Sequence, residues 1–377
     1  MIHLGKSRPS SRLRRGLGRA VGLSWLLLLA PGYSLGKATL RGDWIVIEGR
    51  GNTPETVARD LGRPDLFRYD PFLGTAVSAR NLRVAGEFRI GDEQAWDGLL
   101  RYSTVLEMDV AQCGRARIEV VRTPEQVGEL RLERGKIATV HDVKGKDNCA
   151  TANQLDVAGR LVMRHSAITG NVDGQFRQGA EVDMAHSSLT ITQSTGLALD
   201  GVQAPHVRVR HSEFLDNSLY GLSVAQGKGC LEFHRTVFRG LVADIFNRGQ
   251  ADVALIDCDF KTIRFAASTG SVACRWTVTW RLPKPHLRVV AESEPGAGCP
   301  ERVAGLADGN GICRLVLTEF VAVPGAPQRQ PGVNNSTPHR ITVYEGSQPL
   351  YQLANYYVIM ADQEVTLPLA PARRSSE

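Results

Sequence analysis

The amino-acid sequence predicts an all-β chain: a right-handed parallel β-helix solenoid with a short N-terminal capping helix and a C-terminal β-sandwich. Three observations predict it. A four-residue corner recurs at steps of 21, 25, 24 and 22 residues, an alternating apolar strand precedes each copy, and beyond residue 272 the corner gives way to longer strands. Fixed-period repetition is the signature of a solenoid, and alternation with a period of two is strand geometry.

The copies are His165-Ser166-Ala167-Ile168, His186-Ser187-Ser188-Leu189, His211-Ser212-Glu213-Phe214, Arg235-Thr236-Val237-Phe238 and Asp257-Cys258-Asp259-Phe260. The inward strand positions fall two and four residues earlier, among them Leu161 and Met163, Val207 and Val209, and Leu231 and Phe233. A second column of Gly86, Gly114, Gly135 and Gly159 extends the pattern towards the N-terminus. Leu82-Arg83-Val84-Ala85-Gly86 recurs as Leu155-Asp156-Val157-Ala158-Gly159, a separation read as three coils. The array is therefore placed at residues 82–272, about eight coils of roughly 23 residues, or about 40 Å of stacked strands. A leucine-rich repeat has a similar length, but its Leu-x-x-Leu-x-Leu scaffold is missing.

Residues 37–81 are expected to cap the first coil with a strand, Trp44–Glu48, and a helix. Thr53 supplies its N-cap, Pro54 its first turn, and Val57 and Leu61 recur at helical spacing. Residues 273–370 are expected to form the sandwich, with strands at 276–282, 286–291, 312–323, 340–344 and 356–360, followed by a tail at 371–377. Residues 1–36 read as a signal peptide. Six basic residues precede an apolar run centred on Leu26-Leu27-Leu28-Leu29, and Ser34 and Gly36 are small residues before Lys37. The expected location is accordingly the periplasm, the cell surface or the medium.

Setting that segment aside changes the electrostatic reading. The chain holds 45 Lys+Arg and 39 Asp+Glu, and six of the basic residues lie in the first 36, so the remainder carries 39 of each sign. A neutral mature chain argues against a nucleic-acid partner, which clustered positive charge would hold. No later apolar run is long enough to span a bilayer, so no integral membrane span is expected in the mature protein. The seven cysteines lack zinc-site spacing. Export favours disulfides, and Cys299 with Cys313 is the closest pair in the chain.

Residues 82–272 resemble the pectate-lyase-like superfamily, in particular its β-helix repeat proteins of bacterial exported type. The resemblance rests on the five corner copies and on Asn217-x-x-x-Gly221-Leu222-x-Val224. It covers about half of the chain and implies a fold rather than a particular activity. Ala307-Asp308-Gly309-Asn310-Gly311, the strand after it and Thr337-Pro338-His339 are similar to carboxypeptidase-regulatory-like immunoglobulin-type modules.

Candidate chemistry lies on the outward positions of the strand before each corner. Asp183, Arg208 and Glu232 occupy adjacent rungs with alternating sign, and Arg210 and His234 are neighbours one position from the corner. The plainer reading is a cross-strand ion ladder. The chemical reading makes Asp183, Arg208 and Glu232 a binding face and Arg210 and His234 the catalytic pair of a uronate lyase, the arginine neutralising a carboxylate while the base takes the α-proton. The stacked His165, His186 and His211 are read as a structural corner ladder, since ligands must converge at about 2 Å on one ion while rungs are about 4.8 Å apart. No metal and no cofactor is predicted. Neither the calcium-binding carboxylate cluster nor the arginine-proline signature of the superfamily's lyases is present, and no tryptophan is placed as a sugar platform, Trp44 being assigned to the cap. The sequence reading is an exported, non-catalytic structural or recognition element of the cell envelope, with an envelope or extracellular polysaccharide as partner. The alternative is a polysaccharide lyase or related carbohydrate-active enzyme acting on uronate-containing polymers.

Overall fold

The computed structural model describes residues 36–94, 101–109, 116–139, 153–170, 172–190, 195–266, 270–359 and 361–367. The expected signal segment, Gly36 excepted, lies outside them, as do Trp96, Cys113, Gly114, Cys149, Met360 and the tail.

Each coil gives one short strand to each of three sheets. In one coil these are Asn153–Val157, Arg160–Arg164 and Ala167–Thr169; in the next they are Val172–Phe176, Glu181–Ala185 and Ser188–Thr190. Successive coils pair in parallel within each sheet. In the second sheet Met163, Met184, Val209, Phe233 and Leu255 are successive register partners, and all five are buried. Such columns, closed by their counterparts in the other sheets, make one continuous apolar core along the stack.

The recurring corner turns the chain from the second sheet to the third. Its first residue is left-handed in all five copies: φ is 48° at His165, 51° at His186, 48° at His211, 47° at Arg235 and 54° at Asp257. The column begins one coil earlier than the repeat suggests, with Arg134 at φ 49°. The next residue points inward and its hydroxyl donates to the carbonyl two residues back, Ser166 to Arg164, Ser187 to Ala185, Ser212 to Arg210 and Thr236 to His234. A left-handed residue makes the bend, and an inward hydroxyl satisfies the carbonyl that the bend exposes. The imidazoles then stack, with centroids 4.9 Å apart for His165 and His186 and 4.7 Å for His186 and His211.

Burial pulls the His165 and His211 imidazoles below their ordinary pKa. At His165 the Glu93 carboxylate opposes the shift, whereas His186, Arg235 and Arg210 reinforce it at His211. A base with a depressed folded-state pKa leaves stability intact above the unfolded value near 6.5 and erodes it as pH falls below that value. The melting temperature should therefore drop between about pH 7 and 5, and drop less in the double variant His165→Asn/His211→Asn, which keeps residues tolerant of the left-handed turn. Equal slopes in parent and variant would remove the histidines as the cause.

The glycine column is corrected in part. Gly86 and Gly159 turn the first sheet into the second, but Gly135 opens a strand of the third sheet, and the position between Gly86 and Gly159 belongs to Gly128. A Cβ on Gly86 would lie 2.0 Å from the Gly49 carbonyl oxygen, and one on Gly159 would lie 2.3 Å from that of Gly128. Close backbone approach at this corner excludes any side chain. The two Leu-x-Val-Ala-Gly copies are two coils apart rather than three, because Arg117–Val120 is the single first-sheet strand between them. Long connections stretch these early coils.

The solenoid also starts before residue 82. Trp44–Glu48 pairs in parallel with Asn81–Val84 as a rung of the first sheet, and Thr75–Ser78 pairs in parallel with Thr104–Met108 in the third. Between them lies the capping helix Pro54–Leu61, N-capped by Thr53 in a reciprocal box with Thr56 and closed by Gly62 at φ 58°. Its Val57 is fully buried in the solenoid core.

At the other end, Val272–Arg281 pairs in parallel with Asp252–Ile256 of the last coil and antiparallel with Ile312–Ala322. Gln363–Thr366 completes this layer. Facing it is a four-stranded antiparallel sheet of Arg288–Ser293, Arg302–Leu306, His339–Glu345 and Gln348–Tyr356. The core between the layers includes Trp280, Leu315, Leu317, Ile341 and Val343. Strands expected at 276–282, 286–291, 312–323 and 340–344 correspond to observed ones. Of the strand expected at 356–360 only Tyr356, the last residue of Gln348–Tyr356, is in a strand among the described residues, and Arg302–Leu306, the body of Gln348–Tyr356 and Gln363–Thr366 were not anticipated. Cys299 and Cys313 are free thiols rather than a disulfide. Cys313 lies in the sandwich core, where burial raises its pKa to about 11, and burial raises that of Cys258 in the solenoid to about 12.

Candidate functional site

Alternation sends every second side chain of the first sheet outward, and register then aligns them along the solenoid axis. Val46, Arg83, Glu119 and Asp156 are successive partners in this way, contributed by four neighbouring coils. They floor a groove of ≈ 520 Å³ that is also lined by Trp44, Arg122 and Arg177.

The charges in the groove are paired. Arg177 grips Asp156 through two hydrogen bonds of 2.6 Å, while Glu119 lies 3.7 Å from Arg83 and 3.4 Å from Arg117. The Arg117 guanidinium sits over the Trp44 ring, 5.6 Å from its centroid. Arg122 donates to Glu181 at 2.8 Å and to the Ala158 carbonyl at 3.2 Å. The carboxylates form the recessed layer: Glu119 and Asp156 are 21% and 15% exposed, against 51% and 55% for Arg83 and Arg177. A ligand in the groove therefore meets guanidinium groups first. Each has five N–H donors, and its carboxylate partner occupies only some of them. Holding these arginines in place beforehand removes part of the ordering cost of binding.

The sequence reading missed this groove because it assigned Trp44 to the cap. The repeat did carry a signal. The paired Leu-x-Val-Ala-Gly copies set Arg83 and Asp156 at the same outward position, so only Glu119 between them was needed to see a charged line.

The face predicted from the sequence lies on the second sheet. Arg208, Arg210, Glu232 and His234 are exposed there, and Arg210 and His234 are direct register partners. The expected ion ladder through Asp183, Arg208 and Glu232 does not form. Asp183 turns back to Arg164 of the preceding coil, whose guanidinium also donates to the Asp183 carbonyl at 3.0 Å. Glu232 lies 3.9 Å from His234. Asp183 and Arg208 do meet in a smaller depression of ≈ 210 Å³, walled by Arg160, Glu181 and the turn at Pro205 and His206. Arg210, Glu232 and His234 line neither hollow.

Among the described residues, no group of three His, Cys, Asp or Glu side chains is placed to hold a metal ion. No helix among them is long and apolar enough to cross a membrane. Comparison of the chain with family models, curated proteins and solved structures finds no match.

Proposed function

We propose that the protein is an exported, non-catalytic β-helix of the pectate-lyase-like type that recognises a polysaccharide of the cell envelope or its surroundings along the groove of the first sheet. The observation that carries this reading is the continuous line of Trp44, Arg83, Glu119, Asp156 and Arg177 in the first-sheet groove. An extended, polar, partly aromatic groove suits an extended polar chain. The two carboxylates on its floor are taken up by arginines rather than left facing each other across a scissile bond, which favours binding over hydrolysis.

The test is a glycan panel scored for affinity. Trp44→Ala and Arg83→Ala should each weaken binding of the preferred glycan by about tenfold, the scale of one well-placed contact. A parent protein that binds no member, or variants that bind as tightly as the parent, would sink the proposal.

A second reading, a lyase acting on uronate polymers, rests on the side-by-side placement of Arg210 and His234. Release of unsaturated product that disappears in the Arg210→Ala/His234→Ala variant would establish it. Neither residue lines the first-sheet groove or the second-sheet depression.

A further inference from the structure

The geometry points to a second site, separate from the groove, that binds a single tetrahedral oxyanion, a sulfate or phosphate group, in the second-sheet depression at Arg208. The argument begins with charge. Upstream, Arg89, Arg131, Arg160 and Arg122 are matched by Asp92, Glu133, Glu129 and Glu181 in one chain of ion pairs, and Arg164 and Asp183 form a separate pair beside it. Together these groups are balanced, five of each sign, and the separate pair brings the balance up to Asp183. Arg208 is the register partner of Asp183 yet has no acidic partner among the described residues, because Asp183 is already committed to Arg164. Glu232, one rung further on, has its nearest basic contact in His234.

The depression thus ends in an uncompensated guanidinium. Donors reach its walls from three separate elements: Arg160 from the strand Arg160–Arg164, His206 from the 3-10 turn Ala204–His206, and Arg208 from the strand Val207–Arg210. A planar carboxylate is satisfied by one guanidinium fork along one direction, whereas a tetrahedral oxyanion presents oxygens in several directions and takes donors from different sides. The lining carboxylates Glu181 and Asp183 are held by Arg122, Arg160 and Arg164, so they are partly neutralised towards an incoming anion. The ≈ 210 Å³ hollow admits such a group together with part of the molecule carrying it.

The experiment is calorimetric titration of the full protein at fixed ionic strength with three probes: inorganic sulfate, inorganic phosphate and acetate. Sulfate and phosphate should bind saturably at one site, and acetate should not. Arg208→Gln should weaken both by about tenfold or more, the scale of a charge-assisted hydrogen-bonded pair. Arg210→Gln, on the same strand but outside the hollow, should leave them unchanged, as should Arg83→Gln in the first-sheet groove. Absence of saturable binding would overturn the site. So would acetate binding as tightly as sulfate, or affinity that survives Arg208→Gln. Because the Arg83→Gln control belongs to the other hollow, failure here is distinguishable from failure of glycan recognition there.

Discussion

Replacing Phe214 with alanine is expected to lower the unfolding free energy by about 3–5 kcal/mol. Phe214 is completely buried and sits between Leu189 and Phe238 in the third-sheet column. Its ring stacks on Phe238 at 5.3 Å, and Phe238 in turn meets Phe233 edge-on at 5.5 Å. The rungs on either side are fixed by backbone hydrogen bonds between coils, so they cannot close over the missing ring, and the cavity persists. Chemical denaturation of parent and variant gives the difference directly. A variant melting within a degree or two of the parent would show that Phe214 does not hold the stack together.

The second large effect is expected in the sandwich. His339 is wholly buried, and its Nε2 lies 2.9 Å from Oε1 of Glu301, which also accepts from the Thr318 N–H at 2.6 Å and hydroxyl at 2.7 Å. Burial pushes the Glu301 carboxyl up, but the bonds from His339 and Thr318 outweigh burial and leave it below its ordinary value. His339→Ala strips a partner from a largely buried carboxylate and should cost roughly 3 kcal/mol or more. A carboxylate whose folded pKa is depressed contributes stability that is fully present above the unfolded value near 4.5 and is lost as pH falls through the folded one. The parent should thus lose stability on acidification below about pH 4.5 more steeply than Glu301→Gln. Matching acid profiles for the two proteins would rule out this carboxyl as the source.

Legibility in the sequence followed how strictly each position is constrained. The second-to-third-sheet corner was readable because five successive coils each have a left-handed residue followed by an inward side chain that satisfies a carbonyl, a demand that few residue types meet. The inward columns were readable because burial on both sides of a rung leaves only apolar residues. The first coil was not, since the helix Pro54–Leu61 interrupts it and the corner motif is absent there. Arg302–Leu306 and Gln348–Tyr356 were missed because half or more of each strand is exposed and carries little apolar signal. The groove was missed for a different reason. Steps of 39, 36 and 37 residues separate Trp44, Arg83, Glu119 and Asp156, far from the roughly 23-residue coil read from the corner, so that period does not line them up. Of the predicted face, the neighbours Arg210 and His234 were foreseen from alternation alone, whereas the turn of Asp183 towards Arg164 depends on side-chain choice that periodicity does not encode.

The strand Val272–Arg281 belongs to both halves of the molecule: its first four residues pair with the last coil, and the rest lie in the sandwich. Asp257, the final residue of the corner column, clasps Thr277 on that strand through two hydrogen bonds of 2.6 Å, and Arg235 reaches Asp362 at 2.6 Å. Solenoid and sandwich therefore share a beam rather than a tether. Load applied to one is carried straight into the other along this strand. A gene shortened near residue 272 would yield a rod with a raw, sticky end, so neither half is a module that can be traded freely into other architectures.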